Sequence, residues 1–167
     1  KPIEIVGVNI NYTTQDPIDT VINSDEFVDI DLIVGTSMGG WTASHVGEMT
    51  GIPWVAINPA VEPEKTLARY VIQPGAKPDL DFVGNEIKLT EEDLHDWYAL
   101  KLQKSGGLVL LDGGDELFDA NKTLDYLETS AVIFTGGSHR FEHMKESVAY
   151  IASYWNSSIS YGMIDDD

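Results

Sequence analysis

The sequence predicts a doubly wound α/β fold, a mostly parallel sheet with helices on both faces. Three observations lead there. Several short apolar runs are continuous rather than alternating, as in strands covered on both sides. Each run ends in a Gly-rich or polar turn, and helical patterns lie between the runs.

Taken in order, the strand-like runs are Ile3–Val8, Asp31–Val34, Trp54–Ile57, Leu108–Leu111 and Ala131–Phe134. Helices are predicted near 40–49, 63–72, 90–103, 119–127 and 141–155. Residues 73–89 break the rhythm with Pro74-Gly75 and Pro78, as expected of a lid or binding loop. The stretch Asn156–Asp167 ends in three Asp and is expected to be loosely docked. The expected organisation is therefore one domain over 1–155, with 62–102 as a cap or lid insertion and 156–167 as an acidic tail.

At 167 residues and 43% hydrophobic composition, the chain is long enough to bury a core of its own. No apolar run approaches the roughly 20 residues of a bilayer span, so no membrane association is expected. Lys1-Pro2 leads straight into a strand-like segment, without the pattern of a signal peptide. The absence of Cys excludes disulfides, thiolate nucleophiles and Cys-based zinc sites. It fits a reducing compartment, and a cytoplasmic location is the expectation. The formal charge of −18, from 28 acidic against 10 basic residues, argues against nucleic-acid binding through a basic surface. Its ordinary role is solubility.

The strongest chemical signal is Gly35-Thr36-Ser37-Met38-Gly39, followed by Gly40. A bare G-x-S-x-G arises often by chance, but here it follows a predicted strand and opens a predicted helix. That is the setting of a nucleophile elbow, the hallmark of an α/β-hydrolase-like fold. Glycines relieve crowding at such a tight turn, and the helix start aims its amides at the nucleophile. The Met38 amide is then the expected oxyanion donor. A serine nucleophile needs a base, and the base needs an orienting acid. The fourth predicted strand runs into Asp112-Gly113-Gly114-Asp115-Glu116, and the fifth into Thr135-Gly136-Gly137-Ser138-His139. The order Ser, acid, His is the one this fold uses. Asp115 is the preferred acid, with Asp112 and Glu116 as alternatives. His139 is preferred over His45, which reads as a packing or surface residue, and over His95, which lies in an acidic helix. His143, four residues after His139, would make an i,i+4 metal pair if both shared a helix, but no further ligand is evident. No metal and no cofactor is expected.

The stretches Gly35–Gly40, Ile57-Asn58-Pro59-Ala60-Val61-Glu62-Pro63, Gly114-Asp115-Glu116 and Gly136-Gly137-Ser138-His139-Arg140-Phe141 resemble the YqiA-type esterases, a family of small α/β-hydrolases. The likeness extends to about Trp155. It implies Ser37, Asp115 and His139 as a triad, and hydrolysis of a small-molecule acyl ester or thioester. Members of that family resemble this chain only after a first strand and a His-Gly-Phe-Asn-type loop, which would supply a second oxyanion amide. No His-Gly pair occurs here. The expectation is that a βα unit of roughly 30 residues is supplied by an N-terminal segment or a partner chain, or that the hole is built differently. Within the 62–102 insertion, Tyr70 and Trp97, with Tyr98, are candidates for an acyl pocket and equally for packing. Lys65 and Arg69 are candidates for offsetting the negative field near an anionic substrate. The competing expectation is a hydrolase-like binding protein whose triad is idle.

Overall fold

A computed structural model describes residues 3–12, 16–71, 89–97 and 100–162, together with 75, 77, 78, 80, 84, 86 and 87; for 95–97 and 160–162 it describes the backbone alone. The chain forms two compact units, one of residues 1–29 and 62–101, the other of 30–61 and 102–167. The stretch read from sequence as an insertion thus groups with the first 29 residues.

The second unit is a parallel sheet of four strands in the order β1-β2-β3-β4, with β1 at Ile33–Thr36, β2 at Trp54–Ile57, β3 at Leu108–Asp112 and β4 at Ser130–Phe134. Adjacent strands are parallel throughout, with Ile33 opposite Trp54, Val55 opposite Leu108 and Leu108 opposite Ser130. The helices of this unit are α2 (Met38–Thr50), α5 (Ala120–Tyr126) and α6 (Met144–Gly162). Strands β2 and β3 are buried at every position, whereas β1 and β4 are partly open. Continuous apolar sequence in Trp54–Ile57 and Leu108–Leu111 is what burial on two faces demands. One face carries Trp54, Ala56, Val109 and Leu111, packed with Ala120 of α5. A Cβ at Gly47 of α2 would strike the Trp54 ring, which places α2 on that same face. The other face carries Val55, Ile57, Leu108 and Leu110 with Phe141, and Ile151 and Tyr154 of α6 pack there. Helices on opposite faces of a parallel sheet make the doubly wound layering predicted from sequence.

Between β2 and β3 the chain leaves this unit at Val61 and re-enters at Leu102. The two ends are tied by the Leu102 N–H donating to the Val61 carbonyl at 3.0 Å. Leu102 is buried, and its carbonyl accepts from the Tyr126 hydroxyl at 2.8 Å.

The first unit contains α1 (Pro17–Ile22), α3 (Pro63–Leu67) with a 3-10 turn at Ala68–Tyr70, and α4 (Glu91–Trp97). Helix α1 opens on an Asp-Pro pair. The Asp16 carboxylate accepts from the Ile18 and Asp19 amides at 2.8 and 3.1 Å, and Pro17 takes the first helical position. The segment Ile3–Val8, expected as a strand, is not one. It pairs with no strand among the described residues, and Ile3 and Ile5 are 79% and 90% exposed. An apolar run acquires strand structure from a ladder partner and a face to pack on, and its composition alone supplies neither. Helix ends also differ, and the helix predicted near 90–103 is helical over Glu91–Trp97, with 100–103 non-helical. The predicted 63–72 helix tightens into a 3-10 turn after Leu67, and α6 runs on through Gly162 into the stretch expected as a tail. Of that tail, residues 163–167 lie outside the described residues, as does much of 73–89.

Candidate active site

Ser37 sits between β1 and α2 with φ 54° and ψ −119°, a conformation that L-residues rarely adopt. Several contacts hold it there. Its N–H donates to the Ile57 carbonyl at 3.0 Å, and its own carbonyl accepts from the amides of Gly40, Trp41 and Ala60 at 3.1, 3.3 and 3.1 Å. A Cβ at Gly35 would collide with the Gly39 carbonyl, so the elbow closes only with glycine there. A Cβ at Gly40 would press on those of Pro59 and Ala56, at 3.0 and 3.2 Å. The sequence G-x-S-x-G-G followed by Asn-Pro-Ala after β2 is therefore one packed unit, with the second motif clamping the first.

Serine at a helix start ordinarily caps the free amides. Ser37 makes no such side-chain bond. Its Oγ lies 3.0 Å from Nε2 of His139, and Nδ1 of His139 lies 2.9 Å from a carboxylate oxygen of Asp115. A carboxylate only accepts, so Nδ1 carries the hydrogen and, in the neutral ring, Nε2 accepts from the serine hydroxyl. The other Asp115 oxygen accepts from the Leu117 and Phe118 amides at 2.8 and 3.0 Å. The Asp115 side chain is 2% exposed and that of His139 17%. Phe118 meets the His139 ring edge-on, 4.9 Å between centroids. The loops after β3 and β4 are laced together, Gly113 N–H to the Phe134 carbonyl at 2.8 Å and Gly114 N–H to that of Gly136 at 2.7 Å.

The two alternative acids have other partners. Glu116 accepts the His139 backbone N–H at 2.9 Å, and that hydrogen bond holds its carboxyl below the ordinary carboxylate range. Asp112, the last residue of β3, accepts from Nδ1 of His143 at 2.7 Å. His143 therefore does not pair with His139 on a helix, and among the described residues no cluster of His, Asp and Glu is arranged to hold a metal ion. His45 is a buried packing residue, its ring 4.7 Å from that of Trp41 and its Nδ1 3.1 Å from Nε2 of Gln103. Met38 is the first residue of α2, so its amide stands at the helix start beside Ser37.

In the first unit, Tyr70 is half-buried with the Arg69 guanidinium 4.8 Å above its ring, a packing arrangement that also engages Arg69. Lys65 pairs with Glu62 at 2.7 Å, and Lys101 reaches the other Glu62 oxygen at 3.0 Å. These two ammonium groups hold the Glu62 carboxyl below its usual range. The side chain of Trp97, and Tyr98 altogether, lie outside the described residues. Sequence reasoning gave no role to Asn58, although a buried amide at the end of an apolar strand was visible in the Asn-Pro-Ala run.

Sheet order, layering and elbow are those of the α/β-hydrolase fold. Two solved structures share it. Est1E from Butyrivibrio proteoclasticus matches with a TM-score of 0.56 at 18% identity, over 86% of this chain and 66% of that one. The CarC enzyme, a serine hydrolase involved in carbazole degradation, matches with a TM-score of 0.52 at 16% identity, over 90% and 74%. Residues 6–156 match the model of the uncharacterised protein family UPF0227, and the chain belongs to that family. The resemblance to the YqiA-type family read from its motifs is thereby borne out. A UPF0227 protein of Vibrio parahaemolyticus, VP0969, is 27% identical over 128 residues, 75% of this chain and 65% of the relative. The chain spans 63–65% of the length of the Vibrio relatives it matches.

Proposed function

We propose that the protein is a serine hydrolase that cleaves carboxylic esters or thioesters through an acyl-enzyme. The observation that carries this reading is the hydrogen-bonded chain from Ser37 Oγ through the His139 imidazole to Asp115, with separations of 3.0 and 2.9 Å. Ser37 Oγ attacks the acyl carbon while Nε2 of His139 takes its proton. The tetrahedral oxyanion forms beside the start of α2, where the Met38 amide donates. Collapse breaks the bond to the alcohol or thiol, which leaves with the proton from Nε2. Water then repeats the sequence in reverse, with His139 first as base and then as acid, and Ser37 is regenerated. Asp115 keeps the hydrogen on Nδ1, the tautomer that leaves Nε2 free to accept, and offsets the positive charge of the protonated ring.

A fluorophosphonate probe with a p-nitrophenyl acyl ester tests the reading. Labelling at Ser37, and loss of both labelling and turnover in a folded Ser37→Ala variant, is the expected result. Turnover undiminished in that variant would discard Ser37 as nucleophile. A parent protein that takes up no probe would mark the idle, hydrolase-like binder.

A further inference from the structure

Asp112 is fully buried, and the mechanism above leaves it unused. A buried carboxylate is costly unless each oxygen meets a donor. One oxygen accepts from Nδ1 of His143 at 2.7 Å, and the other from the backbone amides of Ser138 at 3.2 Å and Glu142 at 2.7 Å. The backbone N–H of Asp112 donates to the side-chain oxygen of Asn58 at 2.8 Å. The Asn58 amide nitrogen in turn donates to the carbonyls of Ser138 at 2.9 Å and His139 at 3.3 Å. The loop 138–142 is thus held at Ser138 N, Ser138 O, His139 O and Glu142 N, all by two buried side chains. His139 lies within that stretch. Asn58 belongs to the same turn whose Ala60 amide grips the Ser37 carbonyl at 3.1 Å. One rigid connection therefore runs from the nucleophile's backbone to the backbone of the base.

The loop would not hold this shape unaided. Gly136 and Gly137 have φ of 80° and 76°, and Phe141, which has a Cβ to accommodate, has φ of 60°. Such a conformation persists only where its surroundings over-determine it. A Cβ at Gly137 would fall on the Asp112 carboxylate, so the loop lies directly against it. His143 completes the arrangement, its ring stacked on Phe134 at 5.1 Å with 9° between planes.

We propose that Asp112, Asn58 and His143 form a positioning network, separate from the triad, that sets the His139 ring at the correct distance from Ser37. The proposal rests on the reading of Ser37 and His139 as nucleophile and base. Misplacing a reacting group by an ångström costs about a hundredfold in rate, with little effect on substrate binding. Asp112→Ala removes the acceptor for all three donors. Asp112→Asn keeps an oxygen for the two amides, and its NH2 can donate to His143 once that ring carries its hydrogen on Nε2.

The test measures kcat and KM on a p-nitrophenyl ester, and follows the ring Nδ1–H of His139 by 15N-edited NMR, for the parent, both Asp112 variants and Asn58→Ala. Circular dichroism reports folding, and Asn58→Ala carries the test if Asp112→Ala does not fold. The expected result is a fall in kcat of about 10–100-fold in the alanine variants, with KM within about twofold. The Nδ1–H signal should broaden or disappear in both, and Asp112→Asn should restore signal and rate to within about fivefold of the parent. Folded alanine variants with the parent's kcat and an unchanged Nδ1–H signal would overturn the proposal. Ser37→Ala in the same assay separates the two ideas: turnover surviving there removes the nucleophile reading, while the NMR signal still decides whether the network positions the ring.

Discussion

Three carboxylates, Asp112, Asp115 and Glu116, follow the apolar part of β3 within five positions, and each has a different task. Asp115 meets the ring of His139, Glu116 its backbone amide, and Asp112 the ring of His143. Order and glycine content marked the loop in the sequence, but the division of labour was not legible there, because it depends on where each backbone step points a side chain. Glu116 gives a pH prediction. Its carboxyl is held below the ordinary value of 4.5 mainly by the His139 amide, so the contact is fully present above that value and is lost as pH falls through the depressed one. Glu116→Gln accepts the same amide at every pH. The variant should match the parent's melting temperature near neutrality and lose less of it between about pH 5 and 3, where carboxylates titrate. Parallel curves across that range would show that the contact contributes nothing.

At the level of elements, two helices open on carboxylate caps, and the sequence pattern predicts only one of them. Asp119 accepts from the Asn121 and Lys122 amides at 3.0 and 3.2 Å and starts α5, whose position was foreseen. Asp119→Ala should cost about 1 kcal/mol. In a chain of this size that corresponds to a fall in melting temperature of about 2–4 °C, measurable by calorimetry. No change would mean that water replaces the cap. Helix α1 has an equally good cap in Asp16-Pro17, but six residues are too few for a hydrophobic period to mark it as a helix. Ile3–Val8 failed for the opposite reason: the pattern was present and the ladder partner was not. The four strands that do form are those with neighbours on the page of the fold, and β2 and β3, buried at every position, were the most legible.

On the scale of the whole molecule, the sheet ends at β1, the strand that carries the elbow. Among the described residues no strand pairs with its outer edge, and Val34 there is 49% exposed. An unpaired edge strand is an aggregation hazard. Val34→Lys should therefore raise the temperature at which heated protein begins to scatter light, because a charge on an edge strand opposes edge-to-edge pairing. An unchanged onset would show that this edge is not where copies of the protein meet.

The tie between Leu102 and Val61 has a bearing on descent. The polypeptide leaves the sheet-bearing unit and returns to it through a single closed neck, bonded at 3.0 Å and anchored on Tyr126. Whatever is spliced between those two residues meets the rest of that unit through fixed ends, and lengthening such a loop costs only about 0.6 kcal/mol per doubling. The loops after β3 and β4 enjoy no such licence, because the Asp115–His139 contact at 2.9 Å and the contact of Asp112, at the end of β3, with His143 at 2.7 Å tie their lengths to one another. Variation in length among relatives should therefore collect between Val61 and Leu102. There a lineage can lengthen or replace sequence while the four-stranded sheet and its loops stay unchanged.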